Sequence, residues 1–63
     1  MTLGETLKAA RKAHSLSQHD AADLVGISSE HLFRIECDSV PKPKPEVIRA
    51  LCDLYGLDVK DVT

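Results

Sequence analysis

The sequence predicts an all-α fold, a compact bundle of four to five short helices, and three observations carry the prediction. Apolar residues recur three and four positions apart in four segments. Serine caps and glycine stops separate those segments. With 63 residues, 43% of them hydrophobic and 29% charged, the chain supports one folded core, and residues 1–63 form a single domain.

Leu3, Leu7 and Ala10 line one face of a first helix over 3–14, with Glu5, Lys8, Arg11 and Lys12 on its other faces. Ser15 and Leu16 break it. Ser17 opens a second helix with an S-x-x-D capping box that ends at Asp20. The hydroxyl accepts from the backbone N–H three residues on, and the carboxylate complements the positive helix end. This helix carries Ala21, Ala22 and Val25, small enough for a neighbour to approach closely, and stops at Gly26, where a left-handed residue costs little. At about nine residues it is too short to persist alone.

Ile27 anchors the turn, Ser28 caps a third helix, and Leu32 and Ile35 give that helix its inward stripe in a run that ends at Cys37. Helix, tight glycine-containing turn and helix within about twenty residues is the pattern of a helix-turn-helix. The run Val40-Pro41-Lys42-Pro43-Lys44-Pro45 cannot continue the helix, because each proline lacks an N–H and restricts the residue before it. It predicts a stiff, extended, cationic loop. Pro45 suits the first position of a fourth helix, Glu46 complements its dipole, and Val47, Ile48, Leu51, Cys52 and Tyr55 form a broad apolar face that runs to Gly56. Asp58 and Asp61 repeat the capping-box spacing, so 58–62 predicts one or two closing turns pinned by Leu57, Val59 and Val62.

Composition narrows the function classes. The longest uninterrupted apolar stretches are two or three residues, far short of the roughly 20 that a membrane span needs. Two cysteines are too few for a disulfide scaffold, and no cationic segment followed by an apolar run opens the chain, so a cytoplasmic protein is expected. Cys52, on the apolar face of the fourth helix, reads as a small buried hydrophobe and Cys37 as a free thiol. His14, His19 and His31 with these cysteines show no C-x-x-C or H-x-x-x-H spacing, so neither a metal nor a cofactor is expected. No phosphate-cradling glycine loop and no nucleophile–base constellation occurs, and an enzyme is not expected. A net charge of −2 offers nucleic acid no overall cationic field.

Taken in order, Leu3-Gly4, Leu7 and Arg11 in the first helix, Leu16-Ser17-Gln18 opening the second, Ala22, Gly26-Ile27-Ser28 at the turn, Ile35-Glu36 late in the third and Leu51 to Gly56 in the fourth form a recognisable series. It resembles the lambda-repressor-like helix-turn-helix domains of phage repressors, Cro proteins and many bacterial regulators. The resemblance covers nearly the whole chain. It implies a sequence-specific DNA-binding transcriptional regulator, a repressor that blocks polymerase, with helix 28–37 in the major groove of double-stranded DNA. By position it makes Ser17 and Gln18 phosphate contacts, counts Ser28 among the DNA-binding residues as well as a cap, turns Ser29, Glu30 and Phe33 to the groove, and sends Arg34 to a base or a flanking phosphate. It also implies a structural ion pair between Arg11 and Glu36. Lys42 and Lys44, on the loop near that helix, would then neutralise phosphate whatever the base sequence.

Several positions depart from the family's pattern. Ser15 and Asp38 stand where glycine is common, and aspartate tolerates the left-handed region better than serine, which leaves the shape of those two turns open. Glu30 can only accept, which suits a cytosine amino group, and Phe33 can only pack, as against a thymine methyl. Phe33 has a second reading: with Leu24, where the family carries a polar residue, it forms an apolar patch for a protein partner. The alternative function is therefore a protein-interaction module on this scaffold that does not bind DNA strongly and uses Leu24, Phe33 and Val40. Arg34 likewise either engages DNA or pairs with a nearby carboxylate. One unit of this size offers few contacts, so a homodimer on a two-fold operator is expected, with Tyr55, Leu57 and Val59 on its surface.

Overall fold

Helix follows helix through the computed structural model, which describes residues 2–62 and, within them, not the side chains of Asp61 and Val62. The elements are α1 (Leu3–Ala13), α2 (Gln18–Val25), α3 (Ser29–Glu36), α4 (Pro45–Tyr55) and α5 (Val59–Val62). The boundaries sit within a residue of those the sequence predicts. His14 and Cys37 prove to be capping residues just outside α1 and α3, and Ser28 is the N-cap of α3.

Three helices start on a hydroxyl. Thr2, Ser17 and Ser28 each accept a hydrogen bond from the backbone N–H three residues on, at 3.2, 3.0 and 3.1 Å, which occupies a donor that no helical carbonyl can reach. Lys44 precedes α4 without a side-chain cap, and there Pro45 removes one of the orphan donors instead. At the start of α5, Asp58 accepts from the Lys60 N–H at 3.0 Å. The expected contributions of the Asp61 and Val62 side chains lie outside the described residues.

The first four helices all stop in the same way. Leu16, Ile27, Ser39 and Leu57 donate their N–H groups back to the carbonyls of Arg11, Ala22, Arg34 and Cys52, five residues earlier, the wide bond of a Schellman turn. Such a turn needs a left-handed residue just before the donor. Gly26 and Gly56 supply it at φ 79° and 71°, while Ser15 and Asp38 supply it at φ 56° and 59°. The two departures from glycine therefore keep the glycine backbone, at about 1–2 kcal/mol of strain each. Asp38 offsets that strain with its side chain, whose two oxygens accept from the Thr2 hydroxyl at 2.6 Å and the Gly4 N–H at 3.0 Å. The end of α3 is thereby tied to the start of α1.

Leu7, Ala21, Ala22, Leu32, Ile35, Ile48, Leu51, Cys52 and Tyr55 form the core, with Leu3, Ala10, Val25, Ile27, Val40, Val47, Leu57 and Val59 partly buried against it. α2 packs on α3 and α4, and α1 packs across α3, α4 and α5. The alanines let α2 sit close to its neighbours. Tyr55 is only 4% exposed, so it cannot belong to the dimer surface expected from the sequence; its ring is spent inside the molecule. Among the described residues no helix is long and apolar enough to cross a membrane.

Candidate functional site

A buried polar knot ties α3 to α1 and to the start of α2. Arg11 on α1 donates through Nε to Glu36 Oε2 at 2.8 Å and through Nη2 to Oε1 at 3.2 Å, and its Nη1 donates to the Leu16 carbonyl at 2.7 Å. Gln18, the first residue of α2, donates through Nε2 to the same Glu36 Oε1 at 3.0 Å. One carboxylate near the end of α3 thus holds α1 and the entry to α2. The side chains are 8% and 1% exposed for Arg11 and Glu36, and a charge pair so enclosed depends on these hydrogen bonds to offset its desolvation.

Tyr55 closes the far side of the knot. Its hydroxyl is buried without a hydrogen-bond partner among the described residues. Burial, reinforced by the negative charge of Glu36 and partly offset by Arg11, pushes the phenol up to about 12. His14 Nε2 donates to the Tyr55 carbonyl at 2.9 Å and its ring stacks on the phenol with centroids 6.0 Å apart, which joins the end of α1 to the end of α4. Burial, then Asp53 and Asp58, push the Cys52 thiol up as well; Cys37 is exposed.

With Leu32, Ile35 and Glu36 turned inward, the opposite side of α3 faces solvent. Ser29, Glu30, Phe33 and Arg34 are all exposed, and Phe33, at 52%, presents a large apolar ring to water. Arg34 Nη2 donates to Glu30 Oε1 at 2.7 Å along this face. A shallow open depression lined by Ser28, Glu30, His31, Arg34 and Val40 joins α3 to the loop that follows it. Lys42 and Lys44 are exposed farther along that loop. Ser17 is exposed at the N-terminus of α2, whereas Gln18 is half-buried against Glu36. Leu24, on α2, is 64% exposed.

The structure thus places Ser17, Ser28, Ser29, Glu30, Phe33, Arg34, Lys42 and Lys44 on the surface and draws Gln18 toward the Arg11–Glu36 pair. Two supports of α3 escaped sequence reasoning. Gly4 lies where a Cβ would come within 2.5 Å of the Glu36 carbonyl oxygen and 2.7 Å of that of Ile35, a close approach between segments distant in the chain. The Asp38 carboxylate is the second.

The chain matches the family model of a helix-turn-helix domain over residues 2–63. Among solved structures it is similar to the crystal structure of the P22 c2 repressor protein in complex with synthetic operator 9T in the presence of Tl+, with a TM-score of 0.91 and 22% identity over 98% of this chain and 92% of that one. At that identity the likeness is one of fold. No curated protein matches the sequence significantly.

Proposed function

Because the chain belongs to the helix-turn-helix domain family and has the lambda-repressor-like fold, we propose that it is a sequence-specific DNA-binding transcriptional regulator that lays α3 in the major groove. One observation supports this reading above the rest. Ser29, Glu30, Phe33 and Arg34 stand outward on a helix fastened from behind by Leu32, Ile35 and Glu36. A helix mounted in that way enters a groove about 12 Å wide as a rigid body. The fold is shared with a repressor solved in complex with an operator.

The remaining residues take the positioning roles. Ser17 and Gln18 at the start of α2 and Ser28 at the start of α3 put hydroxyl and amide donors at two helix N-termini, where partial positive charge favours phosphate. A carboxamide nitrogen carries two N–H groups, so Gln18 can donate to phosphate while Glu36 holds the other. Lys42, Lys44 and Arg34 supply the local positive charge that the net −2 lacks. The same reading makes the protein a cytoplasmic repressor acting as a homodimer, with half-sites about 34–36 Å apart.

Salt tests it. Two lysines per chain make four phosphate contacts in a dimer, so affinity for a duplex falls about 10²-fold between 50 and 200 mM salt. Replacing Lys42 and Lys44 by alanine flattens the log–log slope by about one for each lysine removed. The exposure of Leu24 and Phe33, 64% and 52%, favours a second reading, a protein-interaction module. Under it, a partner's affinity hardly changes with salt, and no duplex is retained.

A further inference from the structure

The ion pair on the outer face of α3 adds little to the fold. Glu30 and Arg34 are one helical turn apart, 2.7 Å between Oε1 and Nη2, with side chains 72% and 61% exposed. Resting on the reading of α3 as a groove-binding helix, we propose that Glu30 is a specificity-determining residue: it shields Arg34 from phosphate in the unbound chain and admits it only where guanine meets Arg34 and a cytosine amino group meets Glu30.

An exposed i,i+4 pair is weak, so exchanging its partners costs the fold little. The cost arises in the groove. A carboxylate has only lone pairs to offer, and among phosphates it is repelled unless a base supplies a donor. The donors on the major-groove edge are the amino groups of cytosine and adenine, and the acceptors that match a guanidinium fork are N7 and O6 of guanine.

A G·C pair presents those groups side by side, two acceptors on guanine and then the cytosine amino group. An arginine–glutamate pair presents donors and then an acceptor in the complementary order. It can therefore settle on one G·C pair without separating. At an A·T pair the amino group interrupts the acceptors, the fork loses its bidentate partner, and the carboxylate is left facing a carbonyl and a methyl. Elsewhere on DNA the unrequited carboxylate holds affinity down. In a chain of net charge −2, each cation on this face counts, and shielding one suppresses sequence-independent binding.

The test is selection of binding sites from random duplexes, paired with affinity for a single random-sequence duplex, for the natural chain, Glu30→Ala and Arg34→Ala. Both positions are exposed, and circular dichroism verifies that each variant keeps its helices. The natural chain is expected to select a G·C pair at a fixed position in each half-site, and Arg34→Ala to lose that selection. Glu30→Ala is expected to bind the random duplex several-fold more tightly and to discriminate G·C from A·T about tenfold less. Unchanged random-sequence affinity together with unchanged base preference in Glu30→Ala would overturn the proposal while leaving DNA binding intact. If no form of the chain retains any duplex at low salt, the groove-binding reading fails first and the proposal with it.

Discussion

Substituting Glu36 by alanine lowers the stability of the domain by about 3–5 kcal/mol, because it strands the Arg11 guanidinium in the interior. Arg11 is 7% exposed and keeps only the Leu16 carbonyl once the carboxylate is gone. Gln18 loses its acceptor at the same stroke. A folded domain of this length holds roughly 3–9 kcal/mol in total, so the substitution removes at least about a third of it. Thermal unfolding followed by circular dichroism should show a midpoint lower by more than about 12 °C. Replacing both Arg11 and Glu36 by apolar residues of similar size should recover much of the loss, since no unpaired charge remains. A Glu36→Ala midpoint within a degree or two of the natural chain would mean that the pair does not hold α3 in place.

Gly4→Ala is expected to be nearly as damaging, and the sign is the informative part. Within a helix, alanine is preferred to glycine by about 1 kcal/mol, so local propensity alone predicts a gain. The tertiary structure predicts a loss. The new Cβ would lie 2.5 Å from the Glu36 carbonyl oxygen, 2.7 Å from that of Ile35 and 2.8 Å from the Glu36 carbonyl carbon. All three are backbone atoms and cannot rotate aside. α1 has to lift off the end of α3, which also stretches the bond from the Gly4 N–H to Asp38. Overpacking of this kind costs about 1–3 kcal/mol, before the broken hydrogen bond is counted. Denaturant unfolding at constant m-value measures the difference, and any rise in midpoint denaturant concentration contradicts the packing account.

The elements were legible because each carries its own punctuation. Ser17 and Ser28 announce α2 and α3, Gly26 and Gly56 stop α2 and α4, and Pro45 opens α4, all through interactions that span five residues or fewer. What the sequence hides is what distant residues impose. Serine at position 15 does not declare a left-handed backbone; the Schellman turn reveals it. Asp38 reads as a tolerable substitute for glycine, and its service to Thr2 and Gly4 depends on α1 crossing the end of α3. Tyr55 has two readings in sequence, one on the apolar face of the fourth helix and one on a dimer surface with Leu57 and Val59, and packing in the core decides for the first.

The outer face of α3 was legible through the family resemblance, which assigns its residues by position, and helical periodicity agrees with it. Once Leu32 and Ile35 are committed to the core, the 3.6-residue period turns Ser29, Glu30, Phe33 and Arg34 outward. The engagement of Arg34 by Glu30 and of Gln18 by Glu36 concerns individual rotamers, which periodicity does not specify.

On the proposed function, this outward face meets DNA. Titrating isotopically labelled protein with a duplex at low salt, and following each backbone amide by NMR, tests it residue by residue. Shifts are expected to concentrate at Ser17, Gln18, residues 28–34 and the loop carrying Lys42 and Lys44, with Leu51 and Cys52 in the core undisturbed. Spectra in which α3 stays silent while duplex is added in excess would contradict it.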